Sequence, residues 1–194
     1  FDERTHPDFF TGFRVAGIQH LYRVDGDNWQ REEIAPLAPG PAALAVTQDG
    51  IYAADRDGMR RLAPDGSVLE QWSWGAPWEV AELVPGASDS LLVIGVDEHA
   101  KLLSGGALTD RVMPVLAAVW LPEAKAFAVA WRQKQAIELI DAEGAPTDVK
   151  GRLNAGTALA LIPLPGGDFT LLTVTGELQR LTANRRSIRA IDFY

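Results

Sequence analysis

The chain has 194 residues, of which 18 are basic and 26 acidic, so its formal net charge is −8. This acidity predicts that nucleic acid is not a partner, because a phosphate backbone would be repelled at long range. The absence of cysteine excludes disulfides, thiolate metal sites and cysteine nucleophiles, and no apolar run approaches the roughly 18 residues that span a bilayer.

The N-terminal segment contains a partial repeat. The apolar run Ile18–Val24, the turn Asp25-Gly26 and the run Asn28–Ile34 match a later segment at an offset of 40 residues. Phe9–Ala16 can supply one further strand. The chain begins at Phe1 rather than Met and shows no signal peptide, so we expect that a segment was removed. We therefore favour a periplasmic or secreted location over a cytoplasmic one.

Four similar units follow, and each begins with an apolar, strand-like run. They start at Gly50, Ser90, Ala126 and Asp168, at separations of 40, 36 and 42 residues. Each contains three short runs, and a fourth run precedes each unit. Turn residues occupy matching places between the second and third runs, as expected where tight hairpins need positive φ. These turns are Asp65-Gly66, Gly105-Gly106, Glu143-Gly144 and Asn184.

Four short strands that recur about every 40 residues are typical of a β-propeller blade. We predict an all-β, single-domain β-propeller of about five blades, each a short four-stranded antiparallel sheet. The alternatives are a sandwich or a barrel. One segment, Val115–Trp120, could instead form a helical turn, since its Leu and two Ala are good helix formers. The predicted blades are 1–38, 39–76, 77–113, 114–153 and 154–194.

The second unit, from Pro41 to Trp72, resembles an NHL-type repeat. The matching residues are Pro41, Asp49-Gly50, Asp55, Arg60-Arg61 and Pro64-Asp65-Gly66. In the place of Asp55, the third unit keeps an aspartate as Asp97, whereas the later units have Trp131 and Thr175. The resemblance implies propeller architecture. Such propellers include protein-binding scaffolds, an RNA-binding class, and lyases or lactonases, so the fold alone does not give the function.

Candidate site residues come from the loops that we expect at one mouth of a propeller. Three tryptophans within seven residues are the most unusual local feature, because exposed Trp anchors partners well. We expect Trp74 to be the exposed member and the other two to pack between blades. The ligand-binding candidates are Trp72, Trp74, Trp78, Asp55, Asp57, Asp97, Glu98, His99 and Arg132.

Nothing in the sequence requires an enzyme or a cofactor. It has no Gly-x-Ser-x-Gly nucleophile elbow and no glycine-rich phosphate loop. We predict no catalytic residue, no cofactor and no metal, with Asp55 and Asp97 as the candidate ligands if a metal were bound.

Three classes of function remain open. The first is a non-enzymatic module that binds a protein or a small ligand at the loop face. The second is a lactonase- or lyase-like enzyme that uses the channel carboxylates, with or without a metal. The third is an incomplete ring that a partner strand or a second copy completes, because an unpaired strand edge invites added strands.

Overall fold

A computed structural model describes residues 9–15, 18–39, 42–87, 89–111, 114–132, 136–151, 158–164, 166–183 and 188–193. All regular elements in these ranges are β-strands, nineteen in number. Within the same ranges, no helix has the length and hydropathy to cross a bilayer. Pro41 and Asn184, which the sequence analysis singled out, lie outside the described residues.

The chain divides into an N-terminal unit, residues 1–83, and a C-terminal unit, residues 84–194. The N-terminal unit contains two antiparallel sheets. The first has three strands among the described residues, β1 (Phe9–Val15), β2 (Ile18–Val24) and β3 (Arg31–Leu37), in that order. The second has the order β4 (Ala43–Thr47), β5 (Gly50–Ala54), β6 (Gly58–Leu62) and β7 (Val68–Ser73).

Three further four-stranded sheets follow, each with its strands in chain order. The first consists of β8 (Val80–Pro85), β9 (Leu91–Gly95), β10 (Ala100–Ser104) and β11 (Ala107–Arg111). The second consists of β12 (Val115–Leu121), β13 (Ala126–Trp131), β14 (Ala136–Asp141) and β15 (Pro146–Gly151). The third consists of β16 (Ala158–Pro163), β17 (Asp168–Thr173), β18 (Leu178–Ala183) and β19 (Ile188–Phe193).

Tight turns join neighbouring strands, and their residues explain the connections. At the β6–β7 turn, Gly66 has φ +83°, and its N–H donates to the Ala63 carbonyl at 2.9 Å. The Asp65 carboxylate accepts the Ser67 N–H at 2.9 Å. Positive φ is also found at Gly144 (+84°), so these hairpin predictions are confirmed.

Each unit has its own buried core, and some of its strands are buried on both faces. In the N-terminal unit, Leu21 and Leu37 of the first sheet pack with Ile51, Ala53 and Leu62 of the second. In the C-terminal unit, every residue of β9 and β13 is buried. Packing of one sheet face on the next therefore holds each unit together.

The alternative of a helical turn at Val115–Trp120 is excluded, because this segment is strand β12, as the repeat predicted. Ala118 pairs with Val129 and Val119 with Ala128 on the fully buried strand β13. A bulge between Val115 and Ala117 adjusts the register. Small side chains fit this crowded position, so pairing and burial override the helix propensity of alanine.

Candidate functional site

The Asp55 side chain is the centre of the loop that joins β5 to β6. Only 5% of the residue is exposed, and its carboxylate accepts four hydrogen bonds. Oδ1 accepts the backbone N–H of Asp57 at 3.0 Å and of Gly58 at 3.3 Å. Oδ2 accepts the Ala38 N–H at 3.0 Å and the Arg60 guanidinium at 3.1 Å. Asp55 thus fixes its own loop and ties it to the end of the preceding sheet.

The same loop holds the tryptophan segment by main-chain atoms. The Trp74 indole N–H donates to the Asp55 carbonyl at 2.8 Å, and the Trp78 N–H donates to the Arg56 carbonyl at 3.0 Å. The Trp74 and Trp78 rings meet edge to face, with centroids 5.2 Å apart and planes at 82°. We name Asp55, Arg56, Asp57, Trp74 and Trp78 the Asp55–Trp78 cluster. It combines a fixed aromatic pair with two exposed, oppositely charged residues, Arg56 and Asp57.

The expected difference in exposure among the three tryptophans is wrong. Trp72, Trp74 and Trp78 are all half-buried. Trp72 stacks on Tyr52, with centroids 6.3 Å apart and planes at 24°. Trp74 is held back from full exposure because its N–H binds Asp55 and its ring contacts Trp78. The most exposed tryptophan described is Trp29, at 70%.

A cleft of about 400 Å³ opens beside Asp55 in the N-terminal unit, and we name it the Arg60 cleft. Arg60 crosses from its strand to the preceding sheet, where Nη2 donates to the Pro36 carbonyl at 2.8 Å. Its side chain is 21% exposed. The cleft is lined by Pro36, Leu37, Ala38, Asp55, Asp57, Gly58, Arg60, Val68 and Gln71.

The sequence analysis missed Arg60 and Gln71 as site residues. Arg60 lies five positions after Asp55, on the facing strand of the same hairpin. A buried carboxylate needs a charged or hydrogen-bonding partner, so this position is where the sequence could have indicated one. Gln71 lies on β7, and its place in the cleft follows from the packing of that strand beside Arg60, with which it pairs in register. No local pattern distinguishes Gln71 from any other polar strand residue.

In the C-terminal unit, the β9–β10 loop has a second group of polar side chains. His99 Nδ1 and Asp97 Oδ2 lie 2.9 Å apart, and both residues are exposed. Glu98 forms a two-point ion pair with Arg132 of the β13–β14 loop, and this hydrogen bonding raises the Arg132 pKa. The Glu98 carbonyl also accepts the Val115 N–H at 2.8 Å. The structure therefore brings these four predicted residues into two adjoining polar pairs.

Asp97 does not occupy the place of Asp55 in its own hairpin. In three of the sheets, a backbone hydrogen bond closes the hairpin between the second and third strands, just beyond the last regular strand pair. The residue that follows the last paired residue of the second strand donates this bond, and it is Asp55, Gly95 or Thr173. Asp97 lies two positions later and is exposed, so the equivalence that we expected with Asp55 is wrong. The β9–β10 loop is also one residue longer, with three residues between Gly95 and His99 against two between Asp55 and Gly58.

Neither group has the composition of a metal site. Among the described residues, no three histidine or carboxylate side chains converge in a way that could hold a metal ion. Both Asp55 oxygens already accept two hydrogen bonds each, three from backbone N–H groups and one from a guanidinium. Displacing such donors would oppose cation binding at Asp55.

Comparison with known proteins gives structural likeness only. No protein-family model matches the chain, and no curated protein sequence matches it. Solved structures do match. Virginiamycin B lyase from Staphylococcus aureus superposes with a TM-score of 0.65 at 14% identity, covering 95% of this chain and 69% of that one. The β-propeller domain of Cps50 (Swd1) from Myceliophteria thermophila has a TM-score of 0.67 at 11% identity, with coverage of 97% and 74%.

A third match, Hsv2 from Kluyveromyces lactis, has a TM-score of 0.61 at 10% identity and covers 96% of this chain and 72% of that one. At such identities the likeness establishes the fold and nothing about activity. The chain is a β-propeller protein built of short antiparallel sheets, as the repeat period predicted. Its structural neighbours include a lyase as well as a propeller domain whose name states no reaction.

Proposed function

We propose that this protein is a non-enzymatic β-propeller module that binds a protein partner through the Asp55–Trp78 cluster. The five sheets are proposed to be the blades of a single domain, with the boundaries predicted from the repeats and with NHL-type repeats as their ancestry. The alternative of an incomplete ring, completed by a partner strand or a second copy, stays a prediction.

One observation carries this proposal: the Asp55 loop holds the edge-to-face pair of Trp74 and Trp78 through two hydrogen bonds to its main-chain carbonyls. A fixed aromatic pair loses little conformational entropy on binding, and half-buried rings still offer apolar edges to a partner. Arg56 and Asp57, in the same loop, add one positive and one negative charge. These charges can fix the orientation of a bound polypeptide, which apolar contacts alone would not do.

The environment of Asp55 also argues against catalysis in this cluster. A general base needs a lone pair within hydrogen-bonding reach of the substrate proton. The Asp55 carboxylate is buried and already accepts four hydrogen bonds, so it has no such freedom. Its contacts are those of a residue that builds the binding surface.

The test is selection of a random linear peptide library, displayed on phage, against the immobilised full chain. We expect enrichment of peptides that bind the wild type and lose at least about tenfold in affinity for Trp74→Ala, as hot-spot tryptophans typically do. The matched control is Trp29→Ala, which removes an exposed tryptophan from another turn of the same unit and should leave binding unchanged. Failure to enrich any peptide, or equal losses in both variants, would refute the proposal.

A second candidate function, lyase activity, is supported by the Asp97–His99 pair. A carboxylate at 2.9 Å from Nδ1 can orient an exposed imidazole as a general base. The structural neighbours include a catalytically inactive lyase in which a histidine is replaced by alanine. Incubation with streptogramin B, followed by mass spectrometry, tests this candidate. Turnover that is lost in His99→Ala but kept in His20→Ala would favour it over the binding module, and no turnover would exclude that substrate.

A further inference from the structure

The Arg60 cleft contains a fixed positive charge with unused hydrogen-bonding capacity. Nη2 of Arg60 donates to the Pro36 carbonyl and to Asp55 Oδ2. Nε and Nη1 donate to no acceptor in the described part of the chain. Nη2 is fixed at two points, so the guanidinium is already held in place before a ligand binds. It therefore loses little conformational entropy when a ligand accepts hydrogen bonds from its remaining N–H groups.

The same cleft contains a negative charge, the Asp57 carboxylate, which has no partner among the described residues. Asp57 is exposed, and only its backbone N–H forms a hydrogen bond, to Asp55. Its carboxylate forms no ion pair or hydrogen bond with any other described residue. A cationic group of a ligand can therefore approach Asp57 without displacing a protein contact.

Apolar side chains and an amide complete the lining. Leu37 is buried at the end of β3, and Val68 is an exposed apolar residue at the start of β7. Gln71 adds an amide that can both donate and accept. A cleft of about 400 Å³ is at the small end of the range of small-molecule sites. It suits a compact ligand rather than a large cofactor.

We propose that the Arg60 cleft binds a small zwitterion, namely an α-amino acid with an aliphatic side chain. Its ammonium group pairs with Asp57, its carboxylate accepts from Arg60, and its side chain packs on Leu37 and Val68. A lone anion is disfavoured, since the cleft lining contains two carboxylates and one guanidinium in a chain of net charge −8. A lone amine would leave the free Arg60 donors without an acceptor. This inference does not rest on the proposed protein-binding function.

Isothermal titration with three matched probes tests the proposal. L-leucine has both charged groups, isoamylamine has the ammonium group alone, and 4-methylpentanoate has the carboxylate alone on a similar aliphatic body. We expect L-leucine to bind at least about tenfold more tightly than either single-charge probe, which corresponds to about 1.4 kcal/mol. Equal affinity for leucine and either probe, or no heat with any of them at millimolar concentration, would overturn the proposal.

Variants separate this site from the protein-binding surface. Asp57→Asn removes a carboxylate that forms no hydrogen bond or ion pair with a described residue, and it should weaken leucine binding about tenfold. It should not weaken binding of the carboxylate probe, because it removes a charge that repels the probe. Asp49→Asn, at an exposed turn elsewhere in the same sheet, is the charge-matched control and should bind leucine as the wild type does. Trp74→Ala should also retain leucine binding, even if it abolishes peptide binding.

Discussion

Replacing Asp55 by alanine should destabilise the protein strongly. The substitution removes the acceptor of four donors, namely the backbone N–H groups of Ala38, Asp57 and Gly58 and the guanidinium of Arg60. Because the acceptor is a carboxylate, all four hydrogen bonds are charge-assisted, and each contributes about 1.5 kcal/mol or more. The substitution also removes the desolvation cost of the buried charge, so we expect Asp55→Ala to lower the free energy of unfolding by about 4 to 6 kcal/mol.

Urea unfolding followed by tryptophan fluorescence measures this loss. Asp55→Asn keeps one carbonyl oxygen for the two turn N–H groups, so it should cost about half as much and remains informative if the alanine variant does not fold. Asp57→Ala is the control and should change the free energy of unfolding by less than about 0.5 kcal/mol, because its exposed side chain contacts nothing described. An Asp55→Ala variant within about 1 kcal/mol of the wild type would refute the structural role argued for Asp55.

Two further predictions concern glycines and an aspartate. Gly66 and Gly75 have similar φ values but differ in the room that they leave for a side chain, and Asp25 is stabilised in its charged form. In Gly66→Ala the new Cβ would lie 2.2 Å from the Ile34 carbonyl oxygen, so thermal denaturation should show a loss of more than about 2 kcal/mol, against about 1 kcal/mol for Gly75→Ala, where the site is open. Equal losses would contradict this reading of the turn. The backbone N–H of Asp27 lowers the Asp25 pKa below 3.8. A carboxyl whose pKa is lower in the folded state stabilises the fold above its unfolded pKa, and this stability is lost as the pH falls below about 4. Asp25→Asn should therefore make the free energy of unfolding depend less on pH in this acidic range. An unchanged pH dependence in urea unfolding would contradict this expectation.

Much of the fold could be predicted because its signals are local. The turns at Gly66 and Gly144 need positive φ, which is visible in the sequence as Asp-Gly and Glu-Gly between apolar runs. The segment Val115–Trp120 shows the limit. Its alanines favour a helix by intrinsic propensity, and pairing with the buried strand β13 overrides that preference.

The site could be predicted in part. Loop positions of the repeat correctly grouped Asp55 with Trp74 and Trp78, because the loops at the same end of neighbouring strands meet. The chemistry of each residue was not visible. Whether Asp55 acts in catalysis or only supports the structure depends on how many donors surround it, and those donors come from two separate segments of the chain.

The sequence by itself determined the repeat period, the strand order within each sheet and the acidic charge, since all of these follow from local composition and spacing. Only the tertiary structure decided that Asp55 is buried and saturated, that Asp97 is not its equivalent, and that Arg60 lines a cleft together with Asp57, whose carboxylate has no partner among the described residues. The reason is physical: hydrogen-bond saturation and solvent exposure are properties of neighbours in space, and a sequence specifies neighbours only along the chain.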